Sequence, residues 1–109
     1  MIAWDCYNAK YRSNTYGLPT TIMGAAIAIS KQLGIEWGIA ELGSVKVSGD
    51  ATGAGRAKWI NDCAAYLKTQ GASFVAYFDI DGKKTDYRLL DQPSIAAWNA
   101  LVTASDGTT

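Results

Sequence analysis

The chain has 109 residues, of which 49% are hydrophobic; this is enough for one domain of ordinary size and excludes intrinsic disorder. Its 10 Lys and Arg balance its 10 Asp and Glu, so neither a nucleic acid nor a membrane surface is expected as a partner. The sequence contains no His, which excludes His-based metal sites and Ser-His-Asp catalysis. We expect no metal and no cofactor.

Two cysteines, Cys6 and Cys63, are too few for a disulfide scaffold. Because the first falls in an apolar strand and the second in a helix, two buried free thiols are favoured over a disulfide bond, which needs an oxidising compartment and a close approach of the two Cα atoms. No apolar stretch is long enough to cross a membrane, and no signal peptide precedes the first strand. This abrupt start predicts that the sequence is a piece of a longer protein.

The first predicted unit is a strand over 2–8 followed by a helix over 19–33. Pro19 suits the first turn of a helix, where its missing N–H has no partner to lose, and Gly34 is placed to end it. The apolar spacing predicts one buried stripe on this helix, formed by Ile22, Ala26, Ile29 and Leu33.

The second unit repeats this plan. A strand over 36–42 lacks clean alternation, as expected in a parallel sheet with both faces covered. A helix over 54–70 follows and ends at Gly71. Its predicted buried face is formed by Trp59, Cys63, Tyr66 and Leu67.

The third unit begins with a strand over 73–80. A turn at 81–82 follows, and it is compatible with a small hairpin to 86–90. Asp91 and Pro93 then open the last helix, whose apolar residues are Ile95, Ala96, Trp98, Leu101 and Val102.

The order strand, loop, helix and Gly therefore recurs, and right-handed crossovers are expected between the parallel strands. Two architectures use such units, an open doubly wound sheet and a slice of a (β/α)8 barrel. Neither of the two Gly-rich nucleotide-binding motifs, Gly-x-Gly-x-x-Gly and Gly-x-x-x-x-Gly-Lys-Ser/Thr, follows any strand. We expect one domain over 1–104 and a polar tail over 105–109.

Functional groups of parallel α/β proteins project from the carboxyl ends of the strands. The sharpest candidate is Glu41, because an acidic residue on an apolar strand is costly to desolvate unless it is used or paired. It is either a catalytic carboxylate or an ion-pair partner of Arg12, Lys46 or Arg56. The other candidates at these strand ends are Asp5, Tyr7, Asn8, Phe78 and Asp79.

The segment 35–44 reads IEWGIAELGS and resembles the seventh barrel strand of (β/α)8 glycoside hydrolases, in the large retaining clan that includes many cellulases and mannanases. The remaining segments resemble the end of actinobacterial members of that clan. They correspond to the sixth strand (2–8), the seventh helix with its Arg56 and Trp59 (53–70), the eighth strand (73–79) and the closing helix (92–102). The resemblance implies an α/β fold in which three consecutive βα units form a partial (β/α)8 barrel with parallel strands, in a secreted or extracellular protein.

The same resemblance implies that Glu41 is the nucleophile for hydrolysis of a β-linked polysaccharide by double displacement. From their places at the strand ends, the candidate substrate-binding residues are Asp5, Tyr7, Phe78 and Asp79. The resemblance also implies a hydrogen bond from Tyr7 to Glu41, and for Tyr7 and Asp5 a plain packing or rim-pairing role is an equally favoured alternative. The acid/base Glu of this clan lies on the fourth strand, which this sequence does not contain, so the chain alone is predicted to be inactive. The alternative is a noncatalytic structural or carbohydrate-binding module within a larger assembly.

Strand alternation predicts which side chains face the barrel lumen. With Glu41 inward, the expected inward rows are Trp37 and Ile39 in the second strand, Ala3, Asp5 and Tyr7 in the first, and Phe74, Ala76 and Phe78 in the third. Uncovered rows of this kind predict a homo-oligomer or a complex with the missing half of the barrel.

Two loop groups have weaker interpretations. Tyr11 and Tyr16, with Lys10 and Arg12, line either a carbohydrate cleft or a locally packed loop, and local packing is favoured. The basic residues Lys83, Lys84 and Arg88 are interpreted as a solvated turn.

Overall fold

A computed structural model describes residues 1–9, 15–82 and 85–105. Its elements are β1 (Ile2–Asn8), α1 (Pro19–Leu33), β2 (Trp37–Ser44), α2 (Ala54–Gln70), β3 (Val75–Tyr77) and α3 (Gln92–Ser105). The strands form one sheet in the order β1-β2-β3, and both neighbouring pairs are parallel. The predicted α/β class and its three βα units with parallel strands are confirmed. The predictions for Lys10, Tyr11, Arg12, Lys83, Lys84 and 106–109 lie outside the described residues.

The helix boundaries follow from local chemistry. Pro19 occupies the first turn of α1, as its fixed φ and missing N–H favour. Gly34 and Gly71 end α1 and α2 with φ values of 64° and 84°, which a residue with a Cβ rarely adopts. Both glycine N–H groups donate to carbonyls of the preceding helical turn. Among the described helices, none is long and apolar enough to cross a membrane.

The third strand is shorter than predicted, with three residues in place of eight. After Phe78, whose N–H donates to the Leu42 carbonyl, the chain turns to pair with its own continuation. Asp81 forms an antiparallel bridge with Asp86, and the Tyr87 N–H donates to the Ile80 carbonyl at 3.0 Å. The predicted turn at 81–82 is therefore present, and it removes the end of the predicted strand from the sheet.

A single hydrophobic core lies on one face of the sheet. All three helices contribute to it, and α2 packs between α1 and α3. The strand residues in this core are Cys6, Trp37, Ile39 and Leu42. We call the opposite, helix-free side of the sheet the open face.

In β2, the side chains that lie on the open face differ from those that the alternation predicts. Trp37 and Ile39, predicted to share a side with Glu41, are 5% and 0% exposed in the helix-packed core. The cause is a register shift: Trp4 pairs with Ile39, but Asp5 pairs with Glu41. Ala40 is left without a partner across β1, and such a bulge moves the following side chains to the other face.

The flanking strands keep the predicted alternation. In β1, Cys6 lies in the core, so Ala3, Asp5 and Tyr7 lie on the open face. In β3, Val75 packs against the core and the Tyr77 ring lies 5.5 Å from that of Trp98 in α3. The predicted inward residues Phe74, Ala76 and Phe78 therefore belong to the open face.

Helix α1 is rotated relative to its predicted stripe. Its buried residues are Met23, Ile27 and Ser30, whereas Ile29 and Leu33 are 45% and 58% exposed. Ser30 faces the sheet because its hydroxyl accepts a hydrogen bond of 2.8 Å from the Trp4 indole and donates to a carbonyl one turn earlier.

Helix α2 largely presents the predicted face. Trp59, Cys63 and Leu67 are buried, and Tyr66 packs partly against the core. Both cysteines are free and buried, and burial raises the pKa of each thiol. The prediction of two buried free thiols is confirmed.

Arg56 joins three segments at the carboxyl edge of the sheet. Its side chain is 2% exposed. Its guanidinium donates to the Ser94 hydroxyl at 2.9 Å, the Ser44 carbonyl at 3.1 Å and the Arg88 carbonyl at 2.9 Å, and it pairs with the Asp91 carboxylate at 2.7 Å. Burial alone would raise the pKa of Asp91, but hydrogen bonds from Ser94 and Arg56 outweigh it and lower that pKa.

Asp50 holds the start of α2. Its carboxylate accepts hydrogen bonds from the N–H groups of Gly55 and Arg56 and from the Tyr16 hydroxyl. Burial opposes ionisation, yet these hydrogen bonds lower the pKa of Asp50. Tyr16 therefore packs locally, which is the favoured one of the two interpretations of this loop.

We expect Arg56→Met to lower the free energy of unfolding by about 3–5 kcal/mol, because it leaves the partly buried Asp91 carboxylate without its cation and two carbonyls without their donor. Lys58→Ala is the matched control: it removes an exposed ion pair with Asp62 and should cost less than about 0.5 kcal/mol. Denaturant unfolding of both variants measures the difference. Equal losses would contradict this role of Arg56.

The same interaction predicts a pH dependence. The pKa of Asp91 is lower when folded than its ordinary value of 3.8, so its ionisation stabilises the fold above that pH and this contribution is lost as the pH falls through the folded pKa. The stability gap between Arg56→Met and the unmodified chain should narrow in acid.

Candidate functional site

The candidate site lies on the open face, where β1 and β2 approach their carboxyl ends. The register pairs Asp5 with Glu41 and Tyr7 with Gly43. The bulge at Ala40 is what turns Glu41 out of the helix-packed core and onto the side that carries Asp5 and Tyr7. Two of the predicted substrate-binding residues are thereby brought beside the predicted nucleophile.

Tyr7 and Glu41 are joined by a hydrogen bond in which the phenolic O–H donates to the carboxylate oxygen Oε1. This is the contact that the resemblance implies. Partial burial, together with the hydrogen bond to Glu41, raises the pKa of Tyr7 well above its ordinary value of 10.0. Tyr7 is therefore protonated at neutral pH and directs its proton at the carboxylate.

Two further aromatic rings pack against the ring of Tyr7. The Phe78 ring meets the Tyr7 ring edge-on at 5.4 Å between centroids. The Tyr87 ring lies 5.4 Å from Tyr7 and 5.8 Å from Phe78. Such edge-on and tilted pairs are favourable for aromatic quadrupoles, and they restrict the position of Tyr7.

Gly43 makes room for these rings. A Cβ at this position would lie 3.1 Å from a Tyr87 ring carbon and 3.3 Å from a Tyr7 ring carbon. Even a methyl group at this position would require the neighbouring rings to shift by a few tenths of an ångström. Gly43 thus allows the aromatic cluster to form over the backbone of β2, next to Glu41.

The described cations leave Glu41 unpaired. Arg56 is committed to Asp91, and the Lys46 amine approaches the Ala51 carbonyl at 3.4 Å. The ion pairs within the described residues do not include Glu41. The alternative in which Glu41 forms an ion pair with Arg56 or Lys46 is wrong. Its pairing with Arg12 stays a prediction, because Arg12 lies outside the described residues.

The remaining candidate residues take no part in the Tyr7–Glu41 hydrogen bond, and each has its own surroundings. Asp5 is an exposed carboxylate on the open face, across the strand pair from Glu41. Asp79 accepts a hydrogen bond of 2.8 Å from the Leu89 N–H and lines a depression with Tyr77 and Trp98, on the helix side of the sheet. Asp79 is therefore not brought into the aromatic cluster. Asn8 is buried and donates to the Ser44 hydroxyl.

Sequence reasoning missed Tyr87, which is 8% exposed and closes the cluster. It lies within 86–90, the segment compatible with the second arm of a small hairpin, but that pattern gives no position for its ring relative to Tyr7. Among the described residues, no three metal-binding side chains lie together. What the site offers chemically is a carboxylate oriented by a phenol, a neighbouring exposed carboxylate and aromatic surface.

We expect Glu41→Gln to change the free energy of unfolding by less than about 1 kcal/mol, because the Gln carbonyl can still accept the Tyr7 hydrogen bond. The pKa of Tyr7 should fall, since the negative charge beside it is gone. Thermal unfolding and a titration followed by NMR of ¹³C-labelled tyrosine measure the two effects. Glu36→Gln, at the only other Glu of the chain, should leave the Tyr7 titration unchanged. A loss of about 3–5 kcal/mol would instead reveal a buried ion pair.

Comparisons with protein-family models and with curated protein sequences give no significant match to this chain.

Proposed function

We propose that this chain is the carboxyl-terminal part of a (β/α)8 glycoside hydrolase-like protein, with Glu41 as the nucleophile of a retaining mechanism. The observation that carries the proposal is the Tyr7–Glu41 hydrogen bond on the open face. A strand-borne carboxylate held by a phenol from the neighbouring strand, among aromatic rings, is suited to attack on a sugar.

The architecture supports a slice of a barrel rather than a doubly wound sheet. The strand order follows the chain order, and the three helices share one core on one face. Consecutive units of a (β/α)8 barrel have this arrangement, with helices outside and the other face toward the lumen. A doubly wound sheet would carry helices on both faces.

In the proposed reaction, a Glu41 oxygen attacks the anomeric carbon while the bond from that carbon to the leaving oxygen breaks. Tyr7 holds the carboxylate in one orientation through its hydrogen bond. Phe78 offers a ring on which a sugar can pack. The leaving oxygen needs a proton from a general acid, which the resemblance assigns to a strand outside this sequence.

A covalent trap tests Glu41 separately from the missing acid. In a 2-deoxy-2-fluoroglycosyl fluoride, the departing fluoride needs no proton, so attack by Glu41 should leave a stable glycosyl ester. We expect a mass increase on the peptide that carries Glu41, and none in Glu41→Gln; Glu36→Gln is the control that should still be labelled. Absence of labelling in the unmodified chain, or labelling elsewhere, would contradict the assignment.

The companion assay uses soluble glucans and mannans. We expect no turnover by the chain alone, because general acid catalysis contributes about 10²–10⁴-fold and part of the cleft is missing. Turnover that depends on Glu41 would show that a carboxyl group of this chain, Asp5 in the first place, supplies the proton.

A noncatalytic carbohydrate-binding module is the second candidate. The edge-on Tyr7–Phe78 pair favours it, because aromatic surface binds sugars without any chemistry. Retained binding of oligosaccharides together with no covalent trapping would support this candidate over the first.

A partial barrel also implies association. The edges of β1 and β3 are the margins of the sheet, and the open face carries Phe74 and Phe78 half-buried. We propose that a second copy or the missing half of the barrel covers these surfaces, since strand edges and uncovered parallel sheets favour pairing. Sedimentation equilibrium at micromolar concentration should give a mass above that of the monomer. A clean monomer that binds no hydrophobic dye would contradict the partial barrel.

A further inference from the structure

A second concave site lies at the carboxyl edge of the sheet, outside the Glu41 cluster. It is a cleft of about 320 Å³ between the loop that follows β2 and the segment that follows β3. Its walls carry both charged and apolar side chains, among them Lys46, Thr85, Asp86, Arg88 and Leu90.

The segment 86–88 forms a wall between this cleft and the Glu41 cluster. Tyr87 packs against Tyr7 and Phe78, whereas its neighbours Asp86 and Arg88 line the cleft. The two sites therefore share one short segment.

The polar groups of the cleft are held in place before any ligand arrives. The Arg88 guanidinium donates to both carboxylate oxygens of Asp86, at 2.9 and 2.8 Å, and this hydrogen bonding holds the pKa of Asp86 at about 2. Deeper in the cleft, Arg56 pairs with Asp91 at 2.7 Å. Pre-oriented groups bind a ligand at a smaller entropic cost.

The charge balance indicates the class of ligand. Among the described residues that line the cleft, two of the three cations, Arg56 and Arg88, already have carboxylate partners, so an added anion would have to compete with an ion pair at either arginine. A neutral polyhydroxyl compound can accept from Lys46 and Arg88 and donate to Asp86 without breaking either pair. Leu90 is 65% exposed and offers an apolar surface for the C–H face of a sugar ring.

We infer that the cleft between the loop after β2 and the segment after β3 is a second carbohydrate-binding site, which holds a neutral sugar unit through Lys46, Thr85, Asp86 and Arg88. The choice of carbohydrate rests in part on the proposed function, and the site extends that function by giving the polysaccharide a second anchor beside Glu41.

The test is an NMR titration of the ¹⁵N-labelled full chain with neutral β-1,4-linked gluco- and manno-oligosaccharides. We expect amide shifts in 45–46 and 85–91. Lys46→Ala and Thr85→Ala should each weaken binding about three- to tenfold, the change in Kd that matches the net contribution of one hydrogen bond. Lys58→Ala, on the exposed surface of α2, should bind as the unmodified chain does, and unchanged helix amide shifts verify folding of each variant.

Several outcomes would overturn the second site. Shifts confined to 41–43 and 78 would place the sugar only at the Glu41 cluster, which leaves the proposed function intact. Shifts in neither region would reject the second site, while the covalent trap still decides the role of Glu41. A response of 45–46 and 85–91 to inorganic sulfate but not to the oligosaccharides would show a site for anions in place of sugars.

Discussion

The bulge at Ala40 determines which side of the sheet carries Glu41. Before it, alternate residues of β2 pack into the helices, and Ile39 is fully buried. After it, Leu42 takes over the helix side while Glu41 turns to the open face beside Asp5. Without the extra residue, Glu41 would share the side of Ile39 and its carboxylate would be desolvated among apolar side chains, which is strongly unfavourable. The hydrogen bond with Tyr7 depends on this local change of register.

The stability of the fold and the geometry of the candidate site are linked through Arg56. Its guanidinium binds the end of β2 at the Ser44 carbonyl and the segment after β3 at the Arg88 carbonyl. Because Tyr87 precedes Arg88 in that segment, the buried cation also fixes the ring that packs on Tyr7. Arg56, one of the residues named in the sequence resemblance, therefore has a structural role at the carboxyl edge of the sheet. Parallel α/β proteins place their functional sites at this edge.

On the open face, Glu41 has a hydrogen-bond partner but no ion-pair partner among the described residues. The group that orients Glu41 is therefore the neutral phenol of Tyr7. A hydrogen bond from a phenol restricts the carboxylate without neutralising its charge. In the proposed mechanism, this preserves nucleophilicity, while the second carboxyl group that a retaining glycosidase requires belongs to the rest of the barrel.

Local sequence features predict the helix boundaries and the orientation of β1. Pro19, Gly34 and Gly71 bound the helices through backbone constraints that act within a few residues, and alternation in β1 placed Tyr7 on the side of the candidate site. These features depend on local geometry, which is why a sequence pattern can predict them.

Tertiary packing decided the rest. The bulge at Ala40 arises from pairing with β1, and the rotation of α1 follows from the Trp4–Ser30 hydrogen bond. Tyr87 reaches the cluster because the chain folds back after β3. Each of these outcomes depends on a contact with another segment of the chain, so neither propensity nor periodicity within one element could reveal it.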